Sequence, residues 1–245
     1  VSRAVAFNSV LHREFENVTK MRLKLDGAPY LKFLPTPLDS FSCLLRGTKT
    51  SDRGGAASRT GLSATTVTVW APEDGCVSAE TLRTERCKVI FDPRDVAWMA
   101  NRMLECLGAV HATGFVHGAV TPNHVLFRTE EHGLLLCGWT LAKPSGEAAP
   151  VMLSRFRSFY PQEVTTNKRV YAGSDIYMFG KVIEYLLEGA TVPKRLRLFL
   201  RGVTVEAVEA RPNDAWALRD ELRDILESLY GKPTFRPFVR PNKGE

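Results

Sequence analysis

The chain has no apolar run of the roughly 18 residues that a membrane-spanning helix needs. Its best candidate, Val182 to Leu187, is interrupted by Glu184 and bounded by Lys181 and Glu188. No cleavable apolar stretch opens the sequence, which begins with Val1 and reads as an excerpt of a longer protein. Cysteine is scarce and unpaired in pattern. Cys43, Cys76, Cys87, Cys106 and Cys137 are odd in number, and no two stand at the spacing of a zinc ribbon or a redox motif. The expectation is free thiols in a reducing, cytoplasmic setting. A Gly-x-Ser-x-Gly elbow is missing, which argues against a serine hydrolase of that type. There is no internal repeat.

What the sequence does contain is ordinary for a globular domain. It has 245 residues, 44% hydrophobic and 24% charged, enough for one large domain or two lobes on one core. The net charge of +6 would assist binding to nucleic acid or anionic lipid without demanding either. The densest basic run, Lys194 to Arg201, has its apolar residues at helical spacing. A solvated helix face is its plainer reading and an anion-binding patch the alternative.

Periodicity predicts a helix from Ser9 to Lys24, then strands at Tyr30–Leu34 and Asp39–Leu45. Arg46 to Thr66, rich in Gly, Ser, Thr, Arg and Ala, cannot bury enough apolar surface to order itself. It is expected to be a loop within a sheet, followed by a strand at Val67–Ala71. A short helix starts at Ser78. A longer one is capped by Asp92 with Pro93 at its first position and runs to Gly114. Short strands are expected at Phe115–His117, His124–Arg128 and Leu134–Cys137, and a loop from Ala142 to Val164. Helices follow at Gly173–Gly189, Lys194–Gly202 and Asp214–Tyr230. The tail carries Pro233, Pro237 and Pro241, which rule out regular helix.

Five short segments, in order, carry a family signal. His117-Gly118-Ala119-Val120-Thr121-Pro122-Asn123-His124 lies where a catalytic loop of the form H-R-D-L-x-x-x-N would stand. Leu136-Cys137-Gly138-Trp139-Thr140 follows as a strand end of the D-F-G type. Pro161-Gln162-Glu163 looks like A-P-E, and Ser174-Asp175-Ile176-Tyr177-Met178-Phe179-Gly180 like the start of a buried central helix. Ala210-Arg211-Pro212 comes last. Together they resemble the C-lobe of protein kinases over about residues 9 to 230. The resemblance implies an α+β, kinase-like fold: a reduced or truncated N-lobe-like segment at 1–75, a mostly helical C-lobe at 76–232 and a Pro-rich tail at 233–245. It also implies structural roles for Asp175, which would hold the His117 loop, and for a Glu163–Arg211 pair. Glu14 sits where the family helix carries the Glu that pairs with the ATP-binding Lys, although a solvated face fits it as well. His117 and His111 would brace the loop.

Phosphoryl transfer needs a carboxylate at the hydroxyl nucleophile and Asp and Asn oxygens for magnesium. The chain has Ala119 at the base position, Gly138 at the D-F-G Asp and His124 at the metal-binding Asn; Trp139 keeps an aromatic in the Phe place. No acidic residue lies between Val116 and Phe127, or between Leu134 and Ser145, so a one-residue slip that recruits Asn123 does not restore the missing Asp. Val5-Ala6-Phe7-Asn8 only faintly echoes the Lys-bearing strand, and Gly54-Gly55 falls out of order for a phosphate loop. A zinc site from His117, His124 and His132 lacks supporting ligands. The expectation is a pseudokinase-type scaffold: no catalytic residues, no cofactor or metal, and a protein rather than a nucleic-acid partner. The alternative is a divergent phosphotransferase or nucleotidyltransferase.

Overall fold

The structure is a computed structural model that describes residues 2–46, 62–84, 90–148, 152–166 and 169–238. The first helix, α1 (Ser2–Lys24), is longer than expected and takes in Val5 to Asn8, which therefore form no strand. It buries Val18 and Met21, and Leu25 is buried just past its end. It packs against an antiparallel hairpin of β1 (Pro37–Arg46) and β2 (Leu62–Trp70), with Phe15 and Trp70 at 5.9 Å. In that hairpin Phe41 faces Val67 and Cys43 faces Thr65. The expected loop Arg46–Thr66 is thus strand at both ends, and its residues 47–61 lie outside the described residues, as does Cys87.

Tyr30–Leu34 is not a strand. Pro29–Phe33 forms a single 3-10 helix with proline at its start. Residues i and i+3 eclipse one another in that geometry, and Tyr30 and Phe33 do stack, at 6.4 Å and 13°. The Arg22 guanidinium donates to the carbonyls of Leu31 (3.2 Å) and Leu34 (3.0 Å), satisfying backbone that a sheet would otherwise have to pair.

The larger part of the molecule is built on three helices. Helix α3 (Pro93–Ala112) starts at Asp92, whose carboxylate accepts the Arg94 N–H at 2.9 Å. It packs against both α5 (Ala172–Leu186) and α7 (Ala215–Tyr230). Helix α5 is buried around most of its circumference, from Ser174 and Asp175 through Phe179 to Ile183, as a helix with little polar surface must be. Two glycines permit close approach. A Cβ on Gly108 of α3 would meet the Trp216 indole of α7 at 2.6 Å, and one on Gly180 of α5 would meet Thr204 at 2.6 Å. Short α2 (Ala79–Thr84) and amphipathic α6 (Lys194–Val203) complete this body.

Above α3 lies a three-stranded antiparallel sheet: β3 (Cys76–Ser78), β5 (Val125–Arg128) and β6 (Gly133–Leu136), in the order β3-β5-β6. A second pair, β4 (Phe115–Val116) and β7 (Lys143–Pro144), closes the loop between them. The segment from Ala142 to Val164 is more regular than expected. Besides β7 it holds a 3-10 stretch at Ser154–Phe159 and the single turn α4 (Gln162–Thr165).

The tail has no regular element up to residue 238 and returns to α3. There Arg236 bridges Asp92 (3.0 Å) and Asp95 (3.6 Å), and Phe235 packs on His132 at 4.6 Å. Helices and small antiparallel sheets make an α+β architecture, compatible with a kinase-like fold. Among the described residues, no helix is long and apolar enough to cross a membrane.

Candidate functional site

The site forms where the β4–β5 loop, the end of β6 and the start of α5 meet beneath α1. Asp175 is the anchor. Fully buried in the first turn of α5, it accepts the backbone N–H of His117 at 2.7 Å on one oxygen and that of Gly118 at 2.8 Å on the other. His111 Nε2 reaches the first oxygen at 3.0 Å. A buried carboxylate survives only when its lone pairs are filled in this way. Gly118, at the family's Arg position, sits at φ +73°, the left-handed backbone that a glycine adopts without a Cβ penalty.

His117 is locked by the backbone on both ring nitrogens. Nδ1 accepts from the Ala119 N–H (3.2 Å), so Nε2 carries the proton and donates to the Cys137 carbonyl (2.9 Å). Burial lowers its pKa from 6.5 to about 4, chiefly because the charged ring would be stripped of water. The ring stands edge-on to Trp139 at 4.5 Å and 74°. Trp139 is itself fully buried, donating its indole N–H to the Leu136 carbonyl at 2.7 Å.

The positions that would carry chemistry interlock instead. Ala119 has no side-chain oxygen and is buried. His124 donates from Nδ1 to the Ala119 carbonyl at 2.9 Å, with Thr121 Oγ1 at 3.3 Å. Burial lowers its pKa too. Its ring fills the space beside Gly138: a Cβ there would lie 2.6 Å from Cδ2, Cε1 and Nε2. Gly138 also has φ +77°. The imidazole therefore occupies the volume into which a side chain at position 138 would project. Asn123 Oδ1 accepts from the Thr121 hydroxyl at 2.8 Å. At the two positions where the resemblance would put magnesium ligands, Gly138 has no side-chain oxygen and His124 offers a nitrogen poorly matched to a hard cation.

One carboxylate does reach this region, and the sequence left it ambiguous. Glu14 of α1 accepts from Thr140 Oγ1 at 3.0 Å. Burial raises its pKa, while hydrogen bonds from the Thr140 hydroxyl and the backbone of Trp139 and Thr140 oppose that rise. It is engaged by the very segment it faces. Nearby, Asn17 donates to the Ala142 carbonyl at 3.1 Å. Neither contact has a signal in the local pattern, because the partners are more than 120 residues apart.

The second cluster joins α4 to the C-terminal helices. Arg211 donates to Glu163 Oε1 (2.6 Å) and Oε2 (3.3 Å), and to the carbonyls of Gly173 (3.2 Å), Val205 (2.7 Å) and Glu206 (2.9 Å). The Ser174 hydroxyl adds a bond to Glu163 at 2.7 Å. Both charges are buried.

The histidine grouping weighed and set aside in the sequence does not come together. His117 and His124 are neighbours at 5.9 Å, but His132 stacks on Trp98 beside the tail. Among the described residues, no three His, Cys, Asp or Glu side chains are grouped to hold a metal ion. Asp92 is engaged by Arg94 and Arg236 at the far end of α3.

No family model matches the chain. A stretch of 104 residues is 31% identical to serine/threonine-protein kinase F of Synechocystis sp. (strain ATCC 27184 / PCC 6803 / Kazusa). It takes in 40% of this chain and only 20% of that protein's length. The likeness is weak, but it points the same way as the element order, and it indicates a kinase-like relationship.

Proposed function

We propose that this chain is a catalytically silent, kinase-like domain that acts by binding protein, with the Asp175 and Glu163–Arg211 clusters as its structural frame. The observation that carries the reading is the His124–Gly138 interlock. A ring that fills the place of the missing carboxylate leaves a single substitution no room to restore it. With Ala119 in the base position, the groups that would orient a hydroxyl and neutralise a triphosphate are lost together. The division into an N-lobe-like part up to residue 75 and a helical part to residue 232 belongs to the same proposal.

The test is incubation with labelled ATP and magnesium or manganese, alone and with a generic protein acceptor such as casein. No incorporation is expected. Phosphate transfer that disappears in His124→Ala would overturn the reading. A divergent phosphotransferase or nucleotidyltransferase is the rival, and Glu14 is the observation in its favour. That rival requires ATP to raise the melting temperature in a manner dependent on divalent metal and on Glu14.

A further inference from the structure

Helix α6 carries a charge pattern that its own stability does not explain. Lys194 and Arg195 occupy its first turn, at the positive end of the helix dipole, where cations are disfavoured. Arg197 and Arg201 stand one turn apart, a like-charged pair that weakens an isolated helix, and the helix has no acidic residue to offset them. Among the described residues the Arg197 guanidinium bonds only the Val192 carbonyl, at 3.1 Å, and the Arg201 side chain has no polar partner. Both arginines are exposed.

These two arginines line one side of a groove of about 470 Å³ between α6 and the end of α5. Its accessible apolar lining is the half-buried Ala190 and Val192, over a floor of the buried Leu187 and Leu200. The one carboxylate there, Glu184, is already paired with Lys181 at 2.5 Å. In the groove on the other flank of α6, Arg195 is accompanied by Glu221 and Asp224, which would repel an anion.

We propose that the α5–α6 groove binds an acidic peptide segment of a partner protein, with its carboxylates on Arg197 and Arg201 and its apolar side chains against the half-buried Ala190 and Val192. The inference rests on the reading of the chain as a protein-binding module and names the chemistry of its partner. The two arginines are about 6 Å apart along the helix axis, a separation that carboxylates one helical turn apart, or on alternate residues of a strand, can match. Guanidinium groups also suit bidentate pairing with carboxylates. Nucleic acid fits less well. The aromatic of α6, Phe199, is buried, so no stacking platform accompanies the charge. A bilayer surface fits less well too, because the apolar stripe of Leu196, Phe199, Leu200 and Val203 is already spent on the core.

The experiment measures fluorescence anisotropy of a labelled Glu-Leu-Leu-Glu repeat peptide, its Gln-Leu-Leu-Gln counterpart, a duplex oligonucleotide and phosphatidylserine vesicles. The acidic peptide is expected to bind at least tenfold more tightly than the glutamine peptide. The double variant Arg197→Glu/Arg201→Glu should lose at least tenfold of that affinity, while Arg155→Glu/Arg157→Glu retains it. Circular dichroism confirms that each variant is folded. Equal binding of both peptides, no loss in the α6 variant, or tighter binding of DNA or vesicles through the same arginines overturns the proposal. None of these outcomes touches the ATP assay, so the two readings fail separately.

Discussion

Replacing Gly138 with Asp is the most direct probe of the interlocked site. The new Cβ would stand 2.6 Å from the His124 ring, well inside ordinary van der Waals contact, at a backbone φ of +77°. A left-handed backbone costs an L-residue roughly 1–2 kcal/mol, with Asp among the more tolerant. Overpacking a filled site typically adds about 1–3 kcal/mol. Gly138→Asp alone should therefore destabilise the fold by about 2–5 kcal/mol, and for a domain of this size each kcal/mol lowers the melting temperature by roughly 2–4 °C. Asn is shorter than His and lacks the ring, so His124→Asn/Gly138→Asp should recover the overpacking part. The penalty left should be about 1–2 kcal/mol, that of the backbone alone. Thermal and urea unfolding of wild type, both single variants and the double variant yield the coupling energy, expected at or above about 1 kcal/mol. If Gly138→Asp costs the same with His or Asn at 124, the ring is not what excludes the carboxylate, and the structural argument for a silent site falls with it.

Arg211→Ala should cost about 3–5 kcal/mol, since it leaves Glu163 buried without its cation. Adding Glu163→Ala should then cost much less than it does alone, and a purely additive cycle in urea denaturation would refute the pairing. The stability contributed by neutral His117 is complete above its unfolded pKa of 6.5 and is lost as pH falls through the folded value of about 4. Protons bind the unfolded chain first in that window, so by its lower end the loss is roughly 3 kcal/mol. Urea midpoints should fall accordingly between about pH 7 and pH 4.5. His117→Phe should flatten that slope, and an unchanged slope would show that His117 is not held neutral.

Much of the fold was legible because its signals are local. Asp92-Pro93 announces the start of α3, and the apolar residues that follow repeat at helical spacing on to its last turn. Apolar residues at helical spacing from Ile176 to Leu186 predict a helix, and the family resemblance implied its burial. The missing acids around Ala119 and Gly138 are likewise a property of the chain itself. Misread segments had ambiguous local patterns. Tyr30 to Leu34 alternates well enough for a strand, yet Pro29, the Arg22 guanidinium and the Tyr30–Phe33 stack make it a 3-10 turn.

Tertiary structure alone decided which distant groups meet. No periodicity links Glu14 to Thr140, or Arg236 to Asp92. Gly108 reads in sequence only as a weak point in a helix; in the fold it is the notch that admits Trp216. His124 and Gly138 read separately in the sequence, and only the fold shows that the imidazole lies where a Cβ at position 138 would stand. Composition and spacing determine which elements can form, because backbone geometry and burial act over a few residues. Which side chains share a volume depends on how those elements pack, and that information is spread over the whole chain.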